Sequence, residues 1–101
     1  MLRLLAMALP FVRPAVAQDS PAVVEITKQH FTPAEIEIKA GGTVAFVNRD
    51  LVPHTATARD ASFDTGTLRK DERKEIAFPA AGEFPYFCRF HRHMVGIVRV
   101  G

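Results

Sequence analysis

The sequence predicts an all-β domain, folded as an antiparallel β-sandwich or barrel, and three observations lead to this prediction. First, apolar and polar residues alternate with a period of two in the segments VVEI, EIEIK, TVAFVN, EIAF and GIVRV. Second, turn-forming residues separate these segments, and no convincing helical period occurs between them. Third, a chain of 101 residues, 48% of them hydrophobic, suits one domain with a compact core and roughly six to eight short strands.

The amino-terminal segment has the features of an export signal. Arg3 provides a basic start, residues 4–12 form a short apolar run, and the small residues Ala15–Ala17 provide a cleavage site. An apolar run of this length is too short to span a bilayer. We therefore predict a signal peptide at residues 1–17, a mature domain at residues 18–101 and a periplasmic location. The alternative is a segment that packs on the core or stays disordered.

The charge of the chain argues against some classes of partner. Without the two arginines of residues 1–17, basic and acidic residues are equal in number, so the mature chain is formally neutral. No basic stretch interleaved with aromatic residues occurs, which argues against nucleic-acid binding. We expect a monomer that neither binds nucleic acid nor spans a membrane.

The predicted strands after the signal have a buried side and a solvent-facing side. Ile36 and Ile38 share one face of EIEIK, and its charged residues share the other, as in a half-buried strand of a two-sheet sandwich. Gly41 and Gly42 then turn the chain into residues 43–48. This arrangement predicts a hairpin between the two strands.

The second half of the domain begins with a polar segment, residues 64–74, which predicts a surface connection. Pro85 interrupts the later strand EFPYFC. Because proline cannot donate a ladder hydrogen bond, this strand is expected to lie at an edge, to be bulged, or to tolerate proline at that one position. Phe84, Tyr86 and Cys88 share a face of the strand, so Cys88 ends an inward-pointing aromatic row and is shielded from water.

Cys88 also opens a cluster of potential metal donors. A single cysteine cannot form an internal disulfide, so in an oxidising compartment Cys88 is either buried and inert or bound to a metal. His91 and Met94 follow it in steps of three, and a tight loop would bring the three side chains together, although Met94 could instead fill a gap in the core. His54, in NRDLVPHTATA, is the fourth candidate donor, which only a sheet or sandwich can unite with Cys88.

This donor set of two imidazoles, a thiolate and a thioether favours a soft metal. Calcium and magnesium require oxygen ligands. Zinc accepts two histidines and a cysteine, but it usually takes a stronger fourth donor than a thioether, or water in a catalytic site. Copper suits the whole set, because two histidines and a cysteine in a plane with a distant methionine form the blue-copper centres that transfer electrons.

The segments HFTPAEIEIKAGGTVAFVNRDLVPHT and AGEFPYFCRFHRHMVGIVRV resemble the cupredoxins, through Asn48, a Pro-His pair and the Cys-x-x-His-x-x-Met spacing. The resemblance implies a Greek-key β-sandwich that binds one type 1 copper ion. It further implies that His54, Cys88 and His91 are the equatorial ligands and that Met94 is the axial ligand.

The resemblance also implies how partners would be recognised. Electrons would pass through the solvent-facing edge of His91, where redox partner proteins dock transiently. Two positions depart from the short-loop members of the family: Thr55 replaces the asparagine that usually follows the first histidine, and Phe90 replaces the proline before the second. Both changes are expected to tune the reduction potential. The docking patch would comprise Leu51, Val52, Pro53, Phe90 and Val95.

Three classes of function compete. A one-electron carrier between redox proteins is the first prediction, and a periplasmic copper buffer or delivery protein is the alternative, which His93 would support as an exposed neighbour of the site. His30 is expected at the surface. A hydrolase using Cys88 and His91 is disfavoured because no oxyanion-hole turn is evident. A copper oxidase is disfavoured because one cysteine and four histidines cannot build additional copper centres. We therefore do not expect an enzyme.

Overall fold

The computed structural model describes residues 20–101 as a sandwich of two four-stranded sheets. The predicted signal peptide lies outside the described residues and stays a prediction. Among the described residues, none belongs to a helix that could cross a bilayer. The strands are β1 (Ala22–Thr27), β2 (His30–Thr32), β3 (Glu35–Ile38), β4 (Gly42–Asn48), β5 (Thr57–Ala58), β6 (Arg73–Phe78), β7 (Gly82–Phe87) and β8 (Val95–Val100).

The predicted all-β sandwich is confirmed, and each sheet adds one parallel pair to its antiparallel pairs. The first sheet has the order β2-β1-β4-β6, and the second has the order β3-β8-β7-β5. Strands β1 and β4 run parallel, as do β3 and β8. From β2 to β7 every connection crosses from one sheet to the other. Because such crossings let a strand return in the same direction, parallel neighbours arise without a helical connection.

The hairpin predicted at Gly41 and Gly42 is wrong, because this turn carries the chain from β3 in one sheet to β4 in the other. Gly41 adopts a φ of 90°, and its N–H donates to the carbonyl of Phe78 at 2.8 Å. The N–H of Gly42 donates to the carbonyl of Lys39 at 2.9 Å, so the turn itself is tight. The glycine pair marks a turn correctly, but it does not determine which strands the turn connects.

An aromatic cluster fills the space between the sheets. Tyr86 is fully buried at its centre, with its ring 4.7 Å from that of Phe31 and 5.3 Å from that of Phe46, both in edge-to-face geometry. Burying one such side chain contributes roughly 1.5–3 kcal/mol to stability. The predicted inward-facing row is confirmed, since Cys88 is also fully buried and Phe84 packs against the core.

Pro85 lies where β7 can dispense with a backbone donor. Its carbonyl accepts a hydrogen bond from the N–H of Arg59 at 2.9 Å, so its nitrogen faces the short strand β5 and not β8. The third of the predicted options, tolerance at one position, therefore applies. Pairing of Thr57 with Phe87 then places the loop before β5 beside the end of β7, which brings the two candidate metal-binding loops together.

Candidate metal centre

Three of the predicted donors meet at one end of the sandwich. The Nδ1 atoms of His54 and His91 lie 3.7 Å and 3.8 Å from the Sγ of Cys88. The donor atoms of these three residues lie within 4.8 Å of one another. Metal–nitrogen and metal–sulfur bonds of about 2.0 and 2.3 Å, set 120° apart in a trigonal plane, would separate nitrogen and sulfur by about 3.7 Å. The donor geometry therefore fits one metal ion at the centre of the group.

The loop between β7 and β8 is tight, as predicted from the three-residue spacing of Cys88, His91 and Met94. The N–H of Met94 donates to the carbonyl of His91 at 2.9 Å, and the N–H of Cys88 donates to the carbonyl of Met94 at 3.2 Å. These two bonds close the loop on itself. Met94 is 1% exposed and belongs to the core cluster that contains Cys88.

His54 is held by its own loop and by a carboxylate. Its backbone exchanges two hydrogen bonds with Leu68, of 3.1 and 2.8 Å, so the predicted surface connection contributes a buried residue to the site. Its Nε2 lies 2.8 Å from the Oδ2 of Asp50. Because an ionised carboxylate only accepts hydrogen bonds, Nε2 carries the proton and Nδ1 keeps its lone pair free for a metal.

Asp50 is a residue of this site that was not predicted from the sequence. The backbone N–H groups of Lys28 and Gln29 donate to its two carboxylate oxygens at 2.7 and 2.9 Å. Lys28 and Gln29 adopt φ values of 52° and 61°, which point successive N–H groups at one anion. Burial raises the pKa of Asp50, but the bonds from Gln29, Lys28 and His54 outweigh it and lower the pKa below the usual range. Its position four residues before the histidine was the available signal.

Asn48 and Thr55 connect the loops around the donors. The side-chain amide of Asn48 donates to the carbonyls of Val52 and Leu68 at 2.9 and 2.8 Å. The backbone N–H of Thr55 donates to the Sγ of Cys88 at 3.4 Å, and its hydroxyl accepts the N–H of Arg89 at 3.0 Å. Thr55 thus braces the cysteine loop, although it stands where the family usually has asparagine.

The two donor-bearing loops and the strand after them expose several large apolar side chains. His91 is half-buried, and four of the five residues predicted to form the docking patch are large exposed hydrophobics: Leu51, Val52, Phe90 and Val95. The guanidinium groups of Arg59 and Arg92 lie 5.0 and 5.3 Å from the ring centre of Phe87.

The remaining histidines stand apart from the donor group. His93 is exposed, and its ring lies 6.2 Å from that of His91. His30 is exposed on β2. Within residues 20–101, the histidine, cysteine and carboxylate side chains that come close enough to share one metal ion are those of His54, Cys88 and His91.

Comparison with known proteins identifies the family. A family model described as a cupredoxin-like domain matches residues 1–100. Amicyanin from Paracoccus versutus is 36% identical over 96 residues, which cover 87% of this chain and 73% of that protein. A purple cupredoxin from Nitrosopumilus maritimus is 31% identical with a TM-score of 0.72, over 79% of this chain and 99% of that chain.

An enzyme also shares the fold. The copper-containing nitrite reductase of Thermus scotoductus is 35% identical with a TM-score of 0.77, over 81% of this chain. This chain spans only 22% of that enzyme, so the likeness concerns one of its parts. Together, the matched family model, the amicyanin relative and the donor geometry show that this chain belongs to the cupredoxin family and that its cofactor is one type 1 copper ion.

Proposed function

We propose that this protein is a periplasmic one-electron carrier that binds copper through His54, Cys88 and His91 as equatorial ligands and Met94 as the axial ligand. The observation that carries the proposal is the trigonal spacing of the three donor atoms, with nitrogen–sulfur distances of 3.7 and 3.8 Å. Bound copper supplies the one-electron change between Cu(II) and Cu(I). A donor set held at fixed distances limits the rearrangement that this change requires.

The hydrogen bonds around the donors support a site built for electron transfer. Asp50 fixes the ring orientation of His54, and the N–H of Thr55 fixes the sulfur of Cys88. Such outer contacts restrain the ligands and tune the metal. Similarity to amicyanin favours a carrier over an enzyme.

Redox partners would dock transiently at the edge of His91. The exposed hydrophobics of the two donor-bearing loops would provide a patch that a partner can cover, with Leu51 85% and Phe90 53% exposed. Arg92, next to His91, adds positive charge to the rim of the patch. The predicted signal peptide at residues 1–17 supports the periplasmic location, and we propose that the carrier acts as a monomer.

A copper buffer or delivery protein is the second candidate, and exposed His93 favours it. Its ring lies 6.2 Å from that of His91, so an extra imidazole stands beside the site where copper would enter or leave. Rapid loss of copper to a chelator, without a reversible redox wave, would support delivery. Slow loss with a reversible wave would support electron transfer.

The test is to add Cu(II) to the purified protein and record its visible spectrum and voltammogram. An intense thiolate-to-copper band and a reversible one-electron wave are expected. Cys88→Ser should abolish the band, whereas His93→Gln, which alters the neighbouring exposed imidazole, should retain it. Colourless protein with stoichiometric zinc, or labelling of Cys88 by thiol reagents in the loaded protein, would contradict the proposal.

A further inference from the structure

A closed ring of hydrogen bonds joins the two metal-binding loops through a residue outside both. The hydroxyl oxygens of Thr55 and Thr57 lie 2.9 Å apart, and the hydroxyl of Thr57 donates to Oδ1 of Asp64 at 3.1 Å. The guanidinium of Arg89 donates to Oδ2 of Asp64, and the backbone N–H of Arg89 donates to the Thr55 hydroxyl at 3.0 Å. The ring therefore begins and ends on the residue that follows Cys88.

The direction of every bond in the ring is determined by its members. The N–H of Arg89 can only donate, and an ionised Asp64 can only accept. Thr57 gives its proton to Asp64, so its oxygen is left to accept the proton of Thr55. The chain of donors runs from Arg89 through Thr55 and Thr57 to Asp64, and an anion at the end strengthens each bond along it.

Asp64 is itself anchored, so it can serve as a fixed end for this chain. The N–H of Gly66 donates to its Oδ1 at 2.8 Å, and its backbone forms a bridge with that of Thr57. Burial raises the pKa of Asp64, but the bonds from Gly66, Arg89 and Thr57 outweigh it and lower the pKa. The carboxylate thus stays ionised at neutral pH.

We propose that Asp64 is a positioning residue of the copper centre. Through Thr57 and Thr55 it holds the backbone of Arg89, and Arg89 in turn holds its neighbour Cys88. The proposal rests on the ligand set proposed above. It explains how Thr55 braces the cysteine loop without the larger amide of asparagine: the hydroxyl is one link in a chain that ends on a carboxylate. The negative charge of Asp64 also offsets Arg89 beside the site, so the pair contributes to the balance between Cu(II) and Cu(I).

The first test measures exchange of the Arg89 amide by NMR in the copper-free and Cu(I)-loaded protein. Thr57→Val removes a hydroxyl without changing charge, and we expect the Arg89 amide to exchange about tenfold faster, as for a weakened hydrogen bond. Thr57→Ser keeps the hydroxyl and should keep the exchange slow. Equal exchange in the two variants would overturn the proposal.

The second test measures the reduction potential and the thiolate-to-copper band of Asp64→Asn. The potential should rise, because loss of the anion and exposure of the Arg89 charge both favour Cu(I). Asp60→Asn is the matched control: Asp60 also caps a backbone N–H, that of Ser62 at 2.9 Å, but none of its hydrogen bonds within residues 20–101 reaches the copper loop. An equal shift in both variants, or no shift in Asp64→Asn, would refute the assignment.

The two proposals can fail separately. If the wild-type protein develops no blue band, the copper ligand set is wrong. Exchange of the Arg89 amide in the copper-free protein then still reports whether Asp64 and Thr57 hold the cysteine loop.

Discussion

At the residue scale, the charge of Asp50 controls the environment of His54. In the wild-type protein, Oδ2 of Asp50 lies 2.8 Å from Nε2 of His54. Asp50→Asn keeps an oxygen that can accept the Nε2–H of His54, but it removes a negative charge that favours Cu(II). We expect the reduction potential to rise by about 40 mV, the equivalent of about 1 kcal/mol for a one-electron couple. Cyclic voltammetry of the loaded protein measures this change.

Asp71→Asn provides the control for that experiment. Asp71 is an exposed carboxylate that pairs with Arg49 at 3.0 Å, so the substitution removes the same charge at the surface. Solvent screens such a pair, and little change in potential is expected. A shift in Asp71→Asn equal to that in Asp50→Asn would mean that the contact with His54 is not the cause.

Tyr86 carries a hydroxyl that the fold does not use. Its oxygen is buried and has no hydrogen-bond partner among residues 20–101, and burial raises the pKa of the phenol. Removing an unpaired buried hydroxyl relieves its desolvation cost, so Tyr86→Phe should raise the free energy of unfolding by about 1 kcal/mol. Denaturant titration measures this, with Thr55→Val as the contrast, since the paired hydroxyl of Thr55 should be costly to lose. Destabilisation by Tyr86→Phe would reveal a partner for the hydroxyl.

The donors at the centre were predictable from sequence, whereas the residues that hold them were not. The spacing of Cys88 and His91, together with the soft donor chemistry of their side chains, predicted the group. The left-handed turn at residues 28–29 presents two N–H groups to the carboxylate of Asp50, which helps to hold it against His54. Asp64 belongs to a polar segment whose composition indicates only a surface loop. Their roles depend on loop conformations that residue type does not determine.

At the element scale, Gly96 allows β7 and β8 to pack around Tyr86. A Cβ at Gly96 would lie 2.5 Å from both the Cζ and the Oη of Tyr86, closer than atoms tolerate. Gly96→Ala should therefore force the buried ring to move and lower the free energy of unfolding by about 1–3 kcal/mol. Gly101→Ala, where nothing lies within 4 Å, is the matched substitution and should be neutral. Equal stability of the two variants in denaturant would contradict the packing argument.

The period-two alternation of apolar and polar residues predicts where strands form, but not which strands pair. Alternation identified β3 and β4, because period two follows from the geometry of any strand. It also predicted the half-buried face of β3, whereas β4 is buried on both faces from Val44 to its end. It did not reveal that Glu35 pairs with Ile97 or that Ala22 pairs with Val44, both in parallel. Pairing partners are set by long-range packing of the whole sandwich, so the local signal at Gly41 was assigned to a hairpin that does not form.

At the scale of the whole molecule, copper should couple the loops into one cooperative unit. His54 lies between β4 of the first sheet and β5 of the second, while Cys88 and His91 lie between two strands of the second sheet. An ion bound by all three therefore links segments that are distant in the chain. Because the folded state alone brings these donors together, binding adds to stability.

We expect the Cu(I)-loaded protein to unfold at a higher concentration of denaturant than the copper-free protein. The free energy of unfolding should rise by about 2.7 kcal/mol when free copper is a hundredfold above its dissociation constant. Anaerobic titration followed by circular dichroism measures both forms. Cys88→Ser should lose most of the gain, since it removes the donor shared by both nitrogen–sulfur contacts. An equal gain in that variant would place the stabilising copper elsewhere on the chain, because the loop donors would then not be responsible for it.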